Sequence, residues 1–400
     1  MRKFTCWILP LLSLPMASVA FAGPDAITVG VINDLSGVYA DLGGQGSVVA
    51  AQIAVDEFGP KVLGKPIKIM SGDHQNKPDI GSQLARRWFD VDNVDMVIDF
   101  PNSGVALAVQ EVARDKKKIA IFSTAGSTDL TGKACSPTGF QWTYDNYSNA
   151  AGLAQAMVKQ GFDSWYFLTV DYAFGISLEN EASKALTAAG GKVAGSVRHP
   201  LNTPDFSSFL LSAQSSKAKV IALASAGGDV INAVKQAGEF GIVQGGQTLV
   251  APVTFITDIH ALGLPVAQGL TFVTGYYWDL NDDTRAFAKK FYEHRKAMPT
   301  MAQAGVYSGV LHYLKAVAAA GTDNADAVAS KMRELPVRDA FTQTGTVRAD
   351  GRMVHDMYLV QVKKPSESKA PWDYYKVLAT VPADIAFRPL AESTCVLVKK

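Results

Sequence analysis

The run IAIFSTAGSTDLTG, residues 119–132, breaks an apolar strand into Ser123, Thr124, Ser127 and Thr128, packed around Ala125 and Gly126. Hydroxyls and nearly bare backbone at that spacing could hold an anion, because N–H and O–H groups converge where no bulk stands in the way. The same pattern suits a plain turn into a helix with nothing bound. Other reactive residue types lack a recognised arrangement. His74, His199, His260, His294, His312 and His355 show no HExxH or comparable ligand spacing, and there is no CxxC knuckle. GPKVLGKP, residues 59–66, meets the spacing of a phosphate loop. Pro66, however, stands where Ser or Thr must reach the metal, and a strand follows instead of a helix. In GQGSVV, residues 44–49, Val49 replaces the third glycine of a dinucleotide fingerprint and would hold the helix off the sheet. GxSxG is absent, so there is no nucleophile elbow. No catalytic residue, metal site or cofactor is expected; binding is.

Such loops need elements to position them. AITVGVIND, KPIKIMSGD, VDMVIDF and KIAIFST are apolar runs of strand length. Between them GSVVAAQIAVDEFG, DIGSQLARRWFDVDN (opened by Asp79 as N-cap) and GVALAVQEVARDKK have helical spacing. A strand–helix pitch of about 25–30 residues is the signature of βαβ units in a parallel sheet. CSPTGFQWTYDN, residues 135–146, reads as a crossover, after which the rhythm restarts with WYFLTVD, KVAGSVRHP, AKVIALAS, QTLVAPV and GLTFVTGYYW as strands. Two successive rounds argue for two similar lobes. DTRAFAKKFYEHRKAM and AQAGVYSGVLHYLKAVAAAG are helices without strands, and the chain most simply returns with them to the first lobe. GTVRADGRMVHDMYLVQVKK reads as a hairpin with ADG as its turn.

The start, MRKFTCWILPLLSLPMASVAFAGPDA, has a basic opening, an apolar stretch and a small-residue cleavage pattern ending at Ala22. It reads as a signal peptide over residues 1–22, which implies an exported, periplasmic protein. A chain of 400 residues exceeds what one core usually serves. A net charge of +1 gives no electrostatic footprint for nucleic acid. With Cys6 in the leader, Cys135 and Cys395 remain, and two thiols in an exported chain suggest one disulfide.

Six loops at strand ends are rich in small polar and aromatic residues: DLSGVYADLG, DFPNSG, FSTAGST, VDYAFG, ASAGGD and TGYYWD. Ligands of open α/β sheets sit at such ends. ITVGVINDLSGVYADLGGQGSVVAAQIAVDEFG, followed by VDMVIDFPNSGVALAVQEVARDKKKIAIFSTAGSTDLTG and WYFLTVDYAFG, resembles the periplasmic leucine/isoleucine/valine-binding proteins over essentially the whole chain after the leader. These are type I solute-binding proteins of ABC importers.

The resemblance implies an α/β fold of two Rossmann-like lobes with parallel sheets, joined by three crossover segments near residues 143–146, 274–278 and 345–352. Residues 23–143 plus 277–348 would form lobe 1, and 144–276 plus 349–400 lobe 2, with the ligand cleft between them. It further implies a monomer that takes a small organic carboxylate (an aromatic or aliphatic acid, or an amino acid) and delivers it to a membrane permease. An amide or urea-type solute is the alternative and, in another class, an exported hydrolase. The family's carboxylate loops fall on Asn102, Ser103, Ala125, Gly126 and Ser127, which favours the cradle reading of the opening run. Its aromatic contact after the first second-lobe strand falls on Phe174 or its neighbour Tyr172, Tyr39 and Tyr307 match further aromatic positions, and Tyr276 in TGYYWD is an additional candidate. Two positions depart from the family. Ala226 and Gly227 stand where amino-acid binders carry an aromatic, which would leave room for a larger group. Val253 or Thr254 stands where they carry a glutamate for the ligand's ammonium. Asp171 or Asp229 could supply a substitute acid, but neither matches the family position, so a carboxylate is expected to be required and an α-ammonium not.

Overall fold

The computed structural model describes residues 25–399, so the leader lies outside the described residues. The chain opens with β1 (Ile27–Asn33), α1 (Gly44–Phe58), β2 (Lys61–Val62), β3 (Lys65–Asp73), α2 (Pro78–Asp90), β4 (Met96–Asp99), α3 (Ser103–Asp115), β5 (Ile119–Phe122) and β6 (Gly139–Gln141). These form one sheet of order β2-β3-β1-β4-β5-β6, parallel except for the β2–β3 hairpin built by GPKVLGKP. Both faces of the sheet's centre are covered, so β4 and β5 are fully buried and β5 is a continuous apolar run, whereas the outer β3 alternates and is half exposed. Ile119 and Ile121 of β5 join one core cluster with Val29 and Val31, while Ala120 and Phe122 join another with Trp88 and Phe100.

The second round contains α4 (Asn146–Lys159), β7 (Ser164–Val170), α5 (Ala173–Ala188), β8 (Lys192–His199), α6 (Ser207–Ser215), β9 (Val220–Ala224), α7 (Gly228–Glu239), β10 (Thr248–Val250), α8 (Ile256–Leu262), α9 (Leu264–Ala267) and β11 (Thr271–Thr274). Its parallel sheet has the order β10-β9-β7-β8. Next come α10 (Asp282–Arg295), α11 (Met301–Ala320) and α12 (Ala325–Glu334). Helices α10 and α11 pack on α1 of the first lobe, as the shortage of helices there implies.

The tail departs from a single hairpin. Only β12 (Thr346–Val347) and β13 (Met353–Val354) pair around the ADG turn. The apolar continuation is β14 (Met357–Val362), which joins β11 and β15 (Tyr375–Val381) in an antiparallel sheet. Val360 and Val362 of β14 are buried with Phe272 and Tyr375, and that burial outweighs the local turn signal. After α13 (Ala383–Ala386) the chain end reaches the first lobe, where Cys395 is disulfide-bonded to Cys135. The end of the segment expected in lobe 2 is thus bonded to lobe 1.

The crossovers lie side by side. The buried guanidinium of Arg352 donates to the carbonyls of Tyr144 (2.7 Å) and Trp142 (2.9 Å). His355 sits between the carbonyls of Thr143 (2.7 Å) and Asp356 (2.8 Å). Burial, and then Arg352, hold this imidazole down to about 4.

A candidate binding cleft between the lobes

Loops at the C-terminal strand ends of both parallel sheets meet in one cavity. It is lined by Tyr39 and Leu42 after β1, Pro101 after β4, Thr124 after β5, Tyr172 and Phe174 after β7, Ala226 after β9, Phe255 after β10, and Tyr144 of the first crossover. Its volume is about 10 Å³, room for roughly one water. The cleft is therefore shut in this conformation, and a solute needs the lobes to part.

Each wall is positioned by its own local bonds. The Asp34 carboxylate accepts the N–H groups of Gly37 (2.8 Å) and Tyr39 (3.0 Å), which shapes the loop carrying Tyr39. From the other side, the Thr300 hydroxyl donates to Leu42 O (2.7 Å) and Gln303 donates to Gly43 O (3.0 Å). Across the gap, the Tyr39 and Tyr172 hydroxyls are 2.6 Å apart and share a hydrogen bond. Burial pushes both phenols well above their ordinary range, so both stay neutral.

The two loops expected to cradle an anion lie beside this cavity. Asn102 caps α3, its Oδ1 accepting from Gly104 (2.9 Å) and Val105 (3.2 Å). The Ser103 hydroxyl accepts the Ser127 N–H at 3.2 Å and ties the two loops together. Gln141 donates to the carbonyls of Ala125 (2.8 Å) and Ser127 (3.1 Å). The N–H groups of Ala125 and Gly126 meet no backbone or side-chain acceptor among the described residues. A Cβ on Gly126 would lie 2.5 Å from Asn146 Oδ1 and 2.9 Å from the Phe174 ring, so only glycine allows this approach.

Several expected residues lie elsewhere or act differently. Tyr276 donates to Thr284 O (3.0 Å) and stacks on Phe341, away from the cavity, because the chain has turned toward α10 there. Tyr307 sits on α11 and donates to Glu57 (2.8 Å). Val253 is fully buried, and the Thr254 hydroxyl is turned to Ala251 O (2.8 Å); the next residue, Phe255, lines the cavity instead. The small residues after β9 leave no space in the closed form. Gly227 lies where a Cβ would meet Val38 O at 2.6 Å, and Gly228 N–H donates to Val38 O at 3.2 Å. Asp171 is exposed and ion-paired to Arg198 (3.6 Å). Asp229 is buried and accepts from the N–H groups of Asn202 (3.2 Å) and Thr203 (2.9 Å), which turns its oxygens to the loop after β8. Burial raises its carboxyl to about 6.

Leu42, Pro101, Tyr144 and Phe255 also line the cavity although no motif marks them in the sequence, and Thr124 joins them from the hydroxyls of the opening run. Asp99 was missed outright. It ends β4 at φ 102°, fully buried, and accepts from the Ser123 hydroxyl (3.0 Å), the Thr124 hydroxyl and the Asn33 amide. Burial raises it to about 6 against those stabilising bonds. An acid inside an apolar strand followed by two hydroxyls on the next strand was the signal available.

Comparison with known proteins agrees with this geometry. Residues 26–369 match the family described as periplasmic binding protein. A periplasmic binding protein from Burkholderia mallei is 47% identical, with a TM-score of 0.92 over 94% of this chain and 100% of that one. A branched chain amino acid ABC transporter periplasmic ligand-binding protein from Burkholderia xenovorans LB400 is 43% identical, with a TM-score of 0.83 over 93% of this chain and 100% of that one. The Leu/Ile/Val-binding protein homolog 6 of Brucella melitensis is 26% identical over 92% of this chain and 94% of its own length.

Proposed function

We propose a specific solute receptor, starting from the fact that this chain belongs to the periplasmic binding protein family. The receptor is exported behind its leader, binds a small organic carboxylate between two closing lobes, and hands it to the permease of a branched-chain-amino-acid-type ABC importer. It binds without chemical conversion. One observation carries the solute class: N–H groups of Ala125 and Gly126 without an acceptor among the described residues, beside the Ser103 and Ser127 hydroxyls and next to a mainly aromatic and aliphatic cavity. Donors without a fixed cation suit a carboxylate, whose bonds to N–H and O–H groups are charge-assisted and short. Tyr39, Tyr144, Phe174 and Phe255 suit a hydrophobic body on the same solute.

A melting screen over aromatic acids, aliphatic acids, amino acids and amides tests this. A ligand that binds only the native state stabilises by about 2.7 kcal/mol at a hundredfold excess over Kd. The reading expects carboxylates to raise the melting point and their amides not to. A screen in which amides or ureas stabilise and no carboxylate does overturns it.

A further inference from the structure

We propose that closing of the lobes takes up a proton, on the carboxylate of Asp258, and that the receptor therefore holds its solute more tightly in acid. This deepens the reading of two closing lobes, on which it rests. Asp258 stands in the first turn of α8, in lobe 2. It is buried, 2% exposed, and its Oδ2 accepts the N–H of Phe255, a wall of the cleft, at 2.9 Å. The charge that reaches it from lobe 1 is that of Asp41, in the loop that carries Tyr39 and Leu42. That loop rests on lobe 2 through Val38 O, which accepts the Gly228 N–H, and through the Tyr39 hydroxyl. Closing thus brings the loop over α8, and parting the lobes returns Asp258 to water.

In the closed form nothing balances a charge on Asp258. No cation pairs with it among the described residues. Tyr144 of the first crossover and Tyr375 of β15 are the other titratable groups within its field. Tyr144 gives its one proton to Thr124 O at 2.5 Å. On α8 itself, His260 is stacked on Trp372 and bonded to the Tyr374 hydroxyl. Of the helices packed on α8, α9 has no titratable residue. On α7, Asp229 is turned to the loop after β8, and Lys235 and Glu239 are exposed. A buried carboxylate without a partner is costly, and the group takes up a proton instead. Burial raises it to about 7, against the Phe255 N–H and with a smaller push from Asp41. In water a carboxyl of this kind titrates near 3.9, roughly its value once the lobes part. The raised value belongs to the closed form, so closure is favoured as pH falls through about 7. From pH 8 to pH 6 a solute held by closure gains about tenfold in affinity. Asp99 and Asp229 are bonded within their own lobes, so their protons follow folding and not closure.

The proton can be read without any solute. A Cβ on Gly228 would lie 3.5 Å from Val38 Cβ across the cleft, within the span of a disulfide. The oxidised Val38→Cys/Gly228→Cys protein is therefore locked shut. NMR titration of carbon-labelled aspartates, in the locked protein and in the solute-free wild type, reads each carboxyl. Asp258→Asn in the locked protein, which keeps an acceptor for the Phe255 N–H, identifies the signal by its loss. Asp258 should titrate near 7 when locked and about three pH units lower in the wild type. If Asp258→Asn does not fold, Asp41→Asn identifies the same signal, because removing the opposed charge lowers that titration and leaves Asp99 and Asp229 in place. X-ray scattering on the same two proteins separates the ways to fail. A wild type wider than the locked protein, with Asp258 titrating alike in both, overturns the proton uptake and leaves the closing lobes standing. Equal radii overturn the parting of the lobes, and the proton uptake with it.

Discussion

Single atoms decide how the cleft shuts. The Tyr39–Tyr172 hydroxyl pair bridges the lobes alongside the Gly228–Val38 backbone bond, and a neutral hydrogen bond of this kind contributes about 0.5–1.5 kcal/mol net. Tyr172→Phe should therefore weaken solute binding by roughly three- to tenfold, mostly through faster release. Tyr39→Phe should cost about the same, and the double variant little more than either alone, since both remove one bond. Full additivity in stopped-flow dissociation would show that the two hydroxyls act separately. Tyr39, Tyr172, Phe174 and Ala226 line the cavity at positions that the resemblance picks out in the sequence. Asp99 is not picked out there, since a lone acid at a strand end reveals its role only when Ser123 and Thr124 turn toward it.

Elements carry these atoms, and their caps matter beyond their own helices. Thr300 caps α11 by accepting the Gln303 N–H (3.2 Å) and donates to Leu42 O, so one hydroxyl holds both a helix start and the loop of Tyr39. Thr300→Ala should cost about 1–2 kcal/mol of unfolding stability, measured by denaturant titration, and weaken solute binding besides. A stability loss with unchanged affinity would separate the cap from the loop. The alternation of strands and helices is legible because the central strands of the two parallel sheets, β1, β4, β5, β7 and β9, are buried and mostly apolar. The tail was not. MYLVQV lies directly after a good turn, yet its partners β11 and β15 are distant in sequence or carry a weak pattern, and β15 itself (YKVLATV) is mostly exposed. Tyr276 and Tyr307 misled for a related reason, since an aromatic looks the same in a pocket and in a helix interface.

Across the whole molecule, three crossovers and one bonded tail link the lobes. His355 lies among them, its folded value near 4 against 6.5 for a free imidazole. As pH falls from 6.5 to 4 the unfolded chain takes up a proton there and the fold does not, so its contribution is full above 6.5 and is lost downward, about 3 kcal/mol in all. Asp99, Asp229 and Asp258, raised to about 6, 6 and 7, have the opposite sign over this range. The net curve therefore hides each one, and the difference between wild type and His355→Gln is the readout. The variant should lose less stability on acidification, and parallel curves would contradict this. The Cys135–Cys395 bond spans 260 residues, and its removal in a Cys135→Ser/Cys395→Ser protein should cost about 2–5 kcal/mol. Because Arg388 on the same tail pairs with Glu181 of α5 at 2.5 Å, the untethered protein should also open wider without solute.

A solute should enter by the parting of the two lobes and be held by their closing. X-ray scattering from the purified mature protein, with and without a carboxylate that raises its melting point, tests this most directly. The radius of gyration should be larger without solute, and at saturation the profile should match the closed conformation. An unchanged radius at saturation would contradict it.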